Sequence, residues 1–333
     1  MTCIVCESRA LNEVGSIQGY RRDTYYTVLE CSECETSFVE PCKSDDMLYE
    51  AIYRNVARVP GYARYVVLAD ELLARRDPLA HLANEDECYY AVITALQSKF
   101  PDRSGAKICE VGCGQGYLTY ALTRAGYDST GVDISSKAID LAKRRYGDHY
   151  FCGDIHEFVK SHDRLNAIIA TELIEHLDNP VLFARNMLAA LQEGGSLILT
   201  TPNKLRGDTR IWDTELPPVH LSWLSKTSMR RLAERIDCNV EFIDFTQFYE
   251  SSDKYQLSER AAVKERLPVF NEQYELIQFA QDQNWGSRLR RRVKQSLPVG
   301  ITRTVQRARA GGEYRPCSNE ASGTIGAVFT PNR

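Results

Sequence analysis

One stretch of this sequence constrains the fold more than any other. Residues 106–133 read AKICEVGCGQGYLTYALTRAGYDSTGVD, in which an apolar strand runs into a glycine-rich turn, an amphipathic helix follows, and a second strand ends on Asp133. Glycine reaches positive φ and lets the backbone approach a ligand closely, so Gly112, Gly114 and Gly116 predict a tight ligand-binding turn. The order of these parts indicates an α/β fold with a nucleotide-type ligand at the turn.

The spacing of this turn differs from two common phosphate-binding loops. Glu110 closes the strand and the glycines follow as G-x-G-x-G. A dinucleotide fingerprint reads G-x-G-x-x-G, and a Walker A loop needs Gly-Lys-Ser/Thr. Asp133 stands about 20 residues after the turn, where a carboxylate accepts hydrogen bonds from both hydroxyls of a ribose.

The E-x-G-x-G-x-G turn followed by Asp133 resembles the cofactor site of class I S-adenosylmethionine-dependent methyltransferases. The resemblance covers about Cys88 to Phe248 and a final strand, and it includes LNAIIATELIEHLDNP and SLILTTPN as the fourth and fifth strands with their loops. It implies a seven-stranded, mostly parallel, Rossmann-like sheet with helices on both faces. It also implies S-adenosyl-L-methionine as cofactor, with Asp154 near the adenine. The cofactor-binding residues that it implies are Glu110, Gly112, Cys113, Gly114, Gly116, Asp133, Ile134, Asp154, Ile155 and Thr171.

Chain length and charge limit the domain organisation and the partners that the sequence can have. A chain of 333 residues exceeds the usual single domain, and its net charge of -4 gives no overall attraction to nucleic acid or to anionic membranes. We find no apolar stretch of membrane-spanning length and no signal-peptide core in MTCIVCESR, so we expect a cytoplasmic protein. We predict four parts: a zinc ribbon (1–43), a helical linker or cap (44–100), the methyltransferase core (101–249 plus 320–333) and a basic helical insertion (250–319).

Two cysteine pairs near the N-terminus predict a metal site. Cys3-x-x-Cys6 and Cys31-x-x-Cys34 offer four thiolates from two turns, the donor set of a closed tetrahedral zinc site. So short a segment has little core, which makes the zinc structural. Iron fits the same four sulfurs and is the alternative. The segment resembles the zinc-ribbon prefix of bacterial methyltransferases from sugar and natural-product pathways, and we expect Cys42 to be a non-ligand.

The candidate catalytic residues lie in the loop after the fourth strand. If TELIEH forms a helical turn, Glu172, Glu175 and His176 share one face, and His220 in PPVHLSW is a fourth candidate. E-x-x-E-H with a later histidine resembles the metal sites of small-RNA 2′-O-methyltransferases and of ubiquinone-pathway O-methyltransferases, which implies Mg²⁺ or Mn²⁺ at the active site. The alternative is a metal-free site, in which His176 or His220 is the base or positions substrate.

Two features outside the core bear on partners. The predicted helices 44–59, 61–76 and 86–100 carry several tyrosines, which could cap the cofactor or contact substrate but are expected to be mainly packing residues. Between residues 286 and 315 nine lysines or arginines stand against one glutamate. This patch would attract a phosphorylated or carrier-linked acceptor, or an anionic membrane surface, or it is a solvated helix face; RNA is less favoured.

These observations predict an enzyme that methylates a hydroxyl on a saccharide or other small metabolite. The alternatives are a metal-assisted RNA 2′-O-methyltransferase and a zinc-ribbon scaffold protein without activity. Because fold does not fix function, the acceptor remains open.

Overall fold

The computed structural model describes residues 1–59, 62–103, 105–204, 216–251, 268–277 and 322–332, which form two sheets. The larger sheet has seven strands in the order β10-β11-β8-β7-β4-β5-β6. Five of them are parallel, and β11 lies antiparallel between β8 and β10. These strands are β4 Lys107–Val111, β5 Asp128–Asp133, β6 Tyr150–Cys152, β7 Leu165–Thr171, β8 Leu191–Pro202, β10 Cys238–Phe242 and β11 Thr324–Pro331.

The central strands carry apolar residues on both sides because helices cover both faces of the sheet. On one face Ile108, Ile169 and Ile198 pack with α2 to α5, and on the other Ile168 and Leu197 pack with α7 to α9. The helices are α1 Asp46–Arg54, α2 Ala63–Leu72, α3 Pro78–Glu85, α4 Glu87–Lys99, α5 Tyr117–Arg124, α6 Ser136–Tyr146, α7 Ile155–Ser161, α8 Pro180–Ala190, α9 Lys226–Arg235 and α10 Thr246–Ser251. The predicted fold class, a mostly parallel seven-stranded sheet with helices around it, is confirmed.

The smaller sheet belongs only in part to the N-terminus. Its order is β1-β2-β3-β9, where β1 is Leu11–Gln18, β2 is Tyr25–Cys31, β3 is Ser37–Glu40 and β9 is Ser222–Trp223. β9 comes from the segment after β8 and pairs antiparallel with β3. The Cys3, Cys31 and Cys34 side chains are buried in the same apolar cluster as Leu224 and Met229. The N-terminal unit is therefore packed into the body of the protein.

Several predicted elements differ in detail from the structure. The linker 44–100 holds an additional helix, α3, which begins with Pro78 at its first turn after the cap Asp77. The expected strand 239–248 ends at Phe242, and α10 takes the rest because Thr246 can donate its backbone N–H to Asp244. Residues 272–277, within the insertion that we predicted to be helical, form a turn and an isolated bridge. Residues 278–319, which include the arginine-rich patch 286–315, lie outside the described residues.

Among the residues that the structure describes, we find no helix with the length and apolar character needed to cross a membrane.

Candidate active site

The glycine-rich turn joins β4 to α5 at the carboxyl end of the parallel strands. Gly116 is the residue before α5 and has φ +77°, and a Cβ there would lie 2.6 Å from the Tyr150 ring and 2.7 Å from the Ala142 methyl. Gly114 has φ +50°, and a Cβ there would meet no protein atom within 4 Å. Gly116 is thus required by packing, while Gly114 borders open space that a ligand can fill.

Two acids hold this turn in place. Asp133, which is 7 % exposed, accepts a hydrogen bond from the Gly114 N–H at 2.9 Å and another from the Ser135 N–H at 2.8 Å. Buried Glu110 accepts from both the N–H and the hydroxyl of Thr119 in α5. Burial raises the pKa of Asp133 and raises that of Glu110 to about 7. Burial therefore disfavours the charged form of both carboxyl groups.

The other predicted cofactor residues divide into exposed and buried ones. Ile134 is 82 % exposed directly after Asp133, an unusual position for a large apolar side chain, and it offers an apolar surface to a planar ring. Asp154 caps α7 and accepts from the Glu157 N–H at 2.8 Å. Ile155 is buried and Cys113 is 5 % exposed, so both pack within the protein. Gly112 follows β4, where its N–H donates to the Val132 carbonyl at 2.8 Å.

Thr171 is the last residue of β7, next to the loop that carries the candidate catalytic residues. In this loop a three-residue 3-10 turn, Ile174–His176, brings Glu175 and His176 against His220. Their potential ligand atoms all lie within 4.8 Å of one another. Glu175 Oε1 is 3.9 Å from His176 Nε2 and 4.0 Å from His220 Nε2.

This cluster is almost fully enclosed. Glu175 is 1 % exposed and His220 is 5 % exposed, and the Thr201 hydroxyl donates to Glu175 Oε2 at 3.1 Å. Burial and nearby Glu172 raise the pKa of Glu175 well above its usual value. Burial lowers the pKa of His176 to about 4, so its imidazole is neutral. Glu175 Oε1 is buried and makes no hydrogen bond among the described residues, which marks a place for a proton, an ion or a substrate hydroxyl.

Glu172 does not join this cluster. Its φ is +48°, and its backbone N–H donates to the Thr200 carbonyl at 3.1 Å, so it lies before the 3-10 turn and does not share its face with Glu175 and His176. The i, i+3, i+4 geometry that we expected requires a helical turn through Glu172. Burial and then Asp86 raise the pKa of Glu172 to about 8, because the carboxyl group lies in the direction of α4.

The four N-terminal cysteines form the second group that fits a metal ion. Cys3 Sγ lies 3.5 Å from Cys34 Sγ, and Cys6 Sγ lies 3.5 Å from Cys31 Sγ. Tetrahedral zinc with bonds of about 2.3 Å would hold its sulfurs roughly 3.8 Å apart, so a small adjustment accommodates the ion. The Val5 N–H donates to Cys3 Sγ at 3.5 Å. Cys42 is not part of the group.

The second cysteine turn is tied to the rest of the protein by polar contacts that the sequence does not reveal. Lys204, 7 % exposed, donates to the Glu35 carbonyl at 2.7 Å and to the Glu30 carboxylate. The Ser228 hydroxyl donates to the Cys34 carbonyl at 3.0 Å, and the Val39 N–H donates to the Leu221 carbonyl at 2.9 Å. His220 is the residue before Leu221, so the cysteine unit and the candidate catalytic cluster share one segment.

Part of the chain is similar to known methyltransferases. Residues 83–242, just under half of the chain, match the family model described as a methyltransferase domain. A ubiquinone biosynthesis O-methyltransferase of Coxiella burnetii is 36 % identical over 105 residues, which is 30 % of this chain and 45 % of that protein. A mitochondrial ubiquinone biosynthesis O-methyltransferase of Rattus norvegicus is 32 % identical over 110 residues, 30 % of this chain and 32 % of that protein. The chain thus spans less than half the length of these relatives.

Solved structures with a similar overall outline are more distant in sequence. An S-adenosylmethionine-dependent methyltransferase from Archaeoglobus fulgidus is 16 % identical, with a TM-score of 0.40 over 72 % of this chain and 93 % of that one. A plantazolicin methyltransferase in complex with SAH is 14 % identical, with a TM-score of 0.43 over 86 % of this chain and 98 % of that one.

Proposed function

We propose that this protein is an S-adenosylmethionine-dependent methyltransferase that transfers the methyl group to a hydroxyl of a small molecule. The observation that carries the proposal is the turn around Gly114, where the Cα borders open space and the N–H is bonded to the Asp133 carboxylate. Bound there, the cofactor would supply an electrophilic methyl group. Asp133 would hold the ribose hydroxyls and the exposed Ile134 would contact the adenine.

The acceptor side offers the groups that hydroxyl chemistry needs. A hydroxyl must lose its proton as it attacks, and a nearby base or metal ion assists this loss. Neutral His176 provides a proton acceptor, buried Glu175 lies 3.9 Å from its Nε2, and His220 closes the cluster. O-methylation is also the activity named for the ubiquinone-pathway relatives. A saccharide acceptor stays part of the proposal on sequence resemblance alone, as does a cytoplasmic location.

Two metal ions belong to the proposal in different roles. The four cysteine sulfurs would hold a structural Zn²⁺, with iron as the alternative. The Glu175, His176 and His220 cluster would bind Mg²⁺ or Mn²⁺ in a metal-assisted reaction, which is the second candidate function and is favoured by the 4.8 Å convergence of three ligand atoms. The RNA form of that candidate depends on the arginine-rich patch, which lies outside the described residues.

The first experiment is calorimetric titration of the zinc-loaded protein with S-adenosylhomocysteine. We expect Asp133→Asn to weaken binding at least about tenfold, because a charge-assisted hydrogen bond contributes roughly 1.5–3 kcal/mol. Asp140→Asn is the matched control, since it removes one exposed carboxylate from the following helix. Absence of binding to the folded wild-type protein would contradict the enzyme and restore the scaffold alternative.

The second experiment asks whether the catalytic cluster takes a metal. Free Mn²⁺ is measured by electron paramagnetic resonance during titration of zinc-loaded protein. Metal-assisted chemistry predicts a site that His220→Gln abolishes and that exposed His162→Gln, the control, leaves unchanged. If wild-type protein retains S-adenosylhomocysteine binding but takes up no Mn²⁺, the metal-free mechanism stands, with a histidine as base.

A further inference from the structure

We propose that Tyr49 is a positioning residue of the active site, which holds the His176 imidazole in one tautomer and one orientation. The inference deepens the proposed function and rests on it for the role of His176. Tyr49 lies on α1, outside the matched methyltransferase domain at residues 83–242. The helical linker would therefore contribute a side chain to the catalytic apparatus.

Three atoms define the contact. The Val219 carbonyl oxygen lies 2.7 Å from His176 Nδ1 and 3.2 Å from the Tyr49 hydroxyl oxygen, and the hydroxyl oxygen lies 3.1 Å from Nδ1. A carbonyl oxygen can only accept hydrogen bonds, and it has two lone pairs. His176 Nδ1 must therefore carry a proton, and the Tyr49 hydroxyl donates its own proton to the second lone pair of Val219. The Tyr49 hydroxyl oxygen, 3.1 Å from Nδ1, also accepts from the Nδ1–H, which is thus shared between Val219 and Tyr49.

This assignment decides what the other ring nitrogen can do. With the proton on Nδ1, neutral His176 keeps its lone pair on Nε2, the nitrogen that lies 3.9 Å from Glu175 Oε1. The His220 ring packs against His176 edge to face, with centroids 4.7 Å apart. The lone pair is thus directed to the enclosed cluster, where it can accept a proton from a hydroxyl or bind a cation. The opposite tautomer would present an N–H there.

Tyr49 suits this role because its helix is firmly held. Leu48 and Ile52 of α1 are fully buried, and Asp45 caps the helix by accepting from the Leu48 N–H at 3.1 Å. At the same end, the Tyr274 hydroxyl donates to Asp45 at 2.8 Å. The Tyr49 ring also stands edge-on to His176 at a centroid distance of 6.3 Å. The hydroxyl is therefore presented by a packed helix and can fix the plane of the imidazole.

The test compares Tyr49→Phe with Tyr274→Phe. Each variant loses one hydroxyl whose hydrogen bond involves α1 or its cap, but only Tyr49 touches His176. The readout is the pair of ¹⁵N shifts of the His176 ring in ¹⁵N-histidine-labelled, zinc-loaded protein at one neutral pH, assigned with His176→Gln. We expect a single Nδ1–H tautomer in wild type and Tyr274→Phe. In Tyr49→Phe we expect the tautomer ratio to fall by about three- to tenfold, since one hydrogen bond contributes roughly 0.5–1.5 kcal/mol.

The outcomes separate this inference from the proposed function. Unchanged His176 shifts in Tyr49→Phe would overturn it, as would an Nε2–H tautomer in wild type. An equal change in Tyr274→Phe would also overturn it, because it would reduce the role of Tyr49 to helix stability. The measurement needs no acceptor and no cofactor, whereas the proposed function fails on S-adenosylhomocysteine binding, so the two can fail independently.

Discussion

The glycine turn allows a sharp prediction, because Gly114 and Gly116 have similar backbone angles and opposite surroundings. An alanine at positive φ costs about 1–2 kcal/mol at either position. At Gly116 the added methyl would also lie 2.6 and 2.7 Å from Tyr150 and Ala142, and overpacking of this kind costs about 1–3 kcal/mol. Gly116→Ala is therefore expected to lose about 2–5 kcal/mol of unfolding free energy. Gly114→Ala should lose about 1–2 kcal/mol, since its methyl meets no protein atom.

For ligand binding, the larger effect is expected in Gly114→Ala, the variant with the smaller loss of stability. The Gly114 methyl would project into the space assigned to the cofactor, so Gly114→Ala should weaken S-adenosylhomocysteine binding by at least about tenfold although the protein stays folded. Urea unfolding without ligand measures the stabilities, and calorimetry measures the affinities. Equal stability losses, together with wild-type affinity in Gly114→Ala, would refute the description of the turn.

Three further predictions test burial and the cysteine unit. The pKa of Glu110 is raised from 4.5 to about 7, so the folded state holds its proton more tightly and the free energy of unfolding falls as pH rises between these values. In urea unfolding, Glu110→Gln should therefore gain up to about 3 kcal/mol relative to wild type from about pH 5 to about pH 8. A difference that does not change with pH would disprove this. Metal analysis should find about one zinc per chain that Cys34→Ser loses and Cys42→Ser keeps, and equal zinc in both would remove Cys34 from the ligand set. Lys204→Met should lose about 1–3 kcal/mol of unfolding free energy, whereas Lys99→Met, at an exposed ion pair, should lose less than about 1 kcal/mol. Equal losses in urea unfolding would contradict the role of Lys204 in holding the second cysteine turn to the rest of the protein.

The core fold could be predicted because short continuous stretches of the sequence specify its strands and its glycine turn. β7 and β8 contain the short apolar runs AIIA and LIL, and the glycine turn with Asp133 fixes where the first two strands meet. The family resemblance implied a final strand, and the structure pairs this strand, β11, antiparallel with both β8 and β10. The loop after β7 was placed correctly at the edge where β4 and β7 end.

Details of the site that depend on contacts between residues far apart in the chain could not be predicted from the sequence. Glu172 was grouped with Glu175 on the assumption of a helical turn, but a hydrogen bond to Thr200 on a neighbouring strand sets its backbone at positive φ. β9 has two residues and no periodicity, so only its partner β3 defines it. The Tyr49 contact joins residues 127 positions apart, and a tyrosine at such a position ordinarily predicts packing.

The pairing of β3 with β9 also sets an order of events during synthesis. Ser37 pairs with Trp223, so the smaller sheet cannot be completed until its last strand has left the ribosome. At 5–20 residues per second this takes roughly 10–40 seconds after β3 emerges. During that interval β3 has an open edge that can pair with another chain. Both cysteine turns emerge early, so prompt metal capture would hold the nascent N-terminus together before its sheet exists.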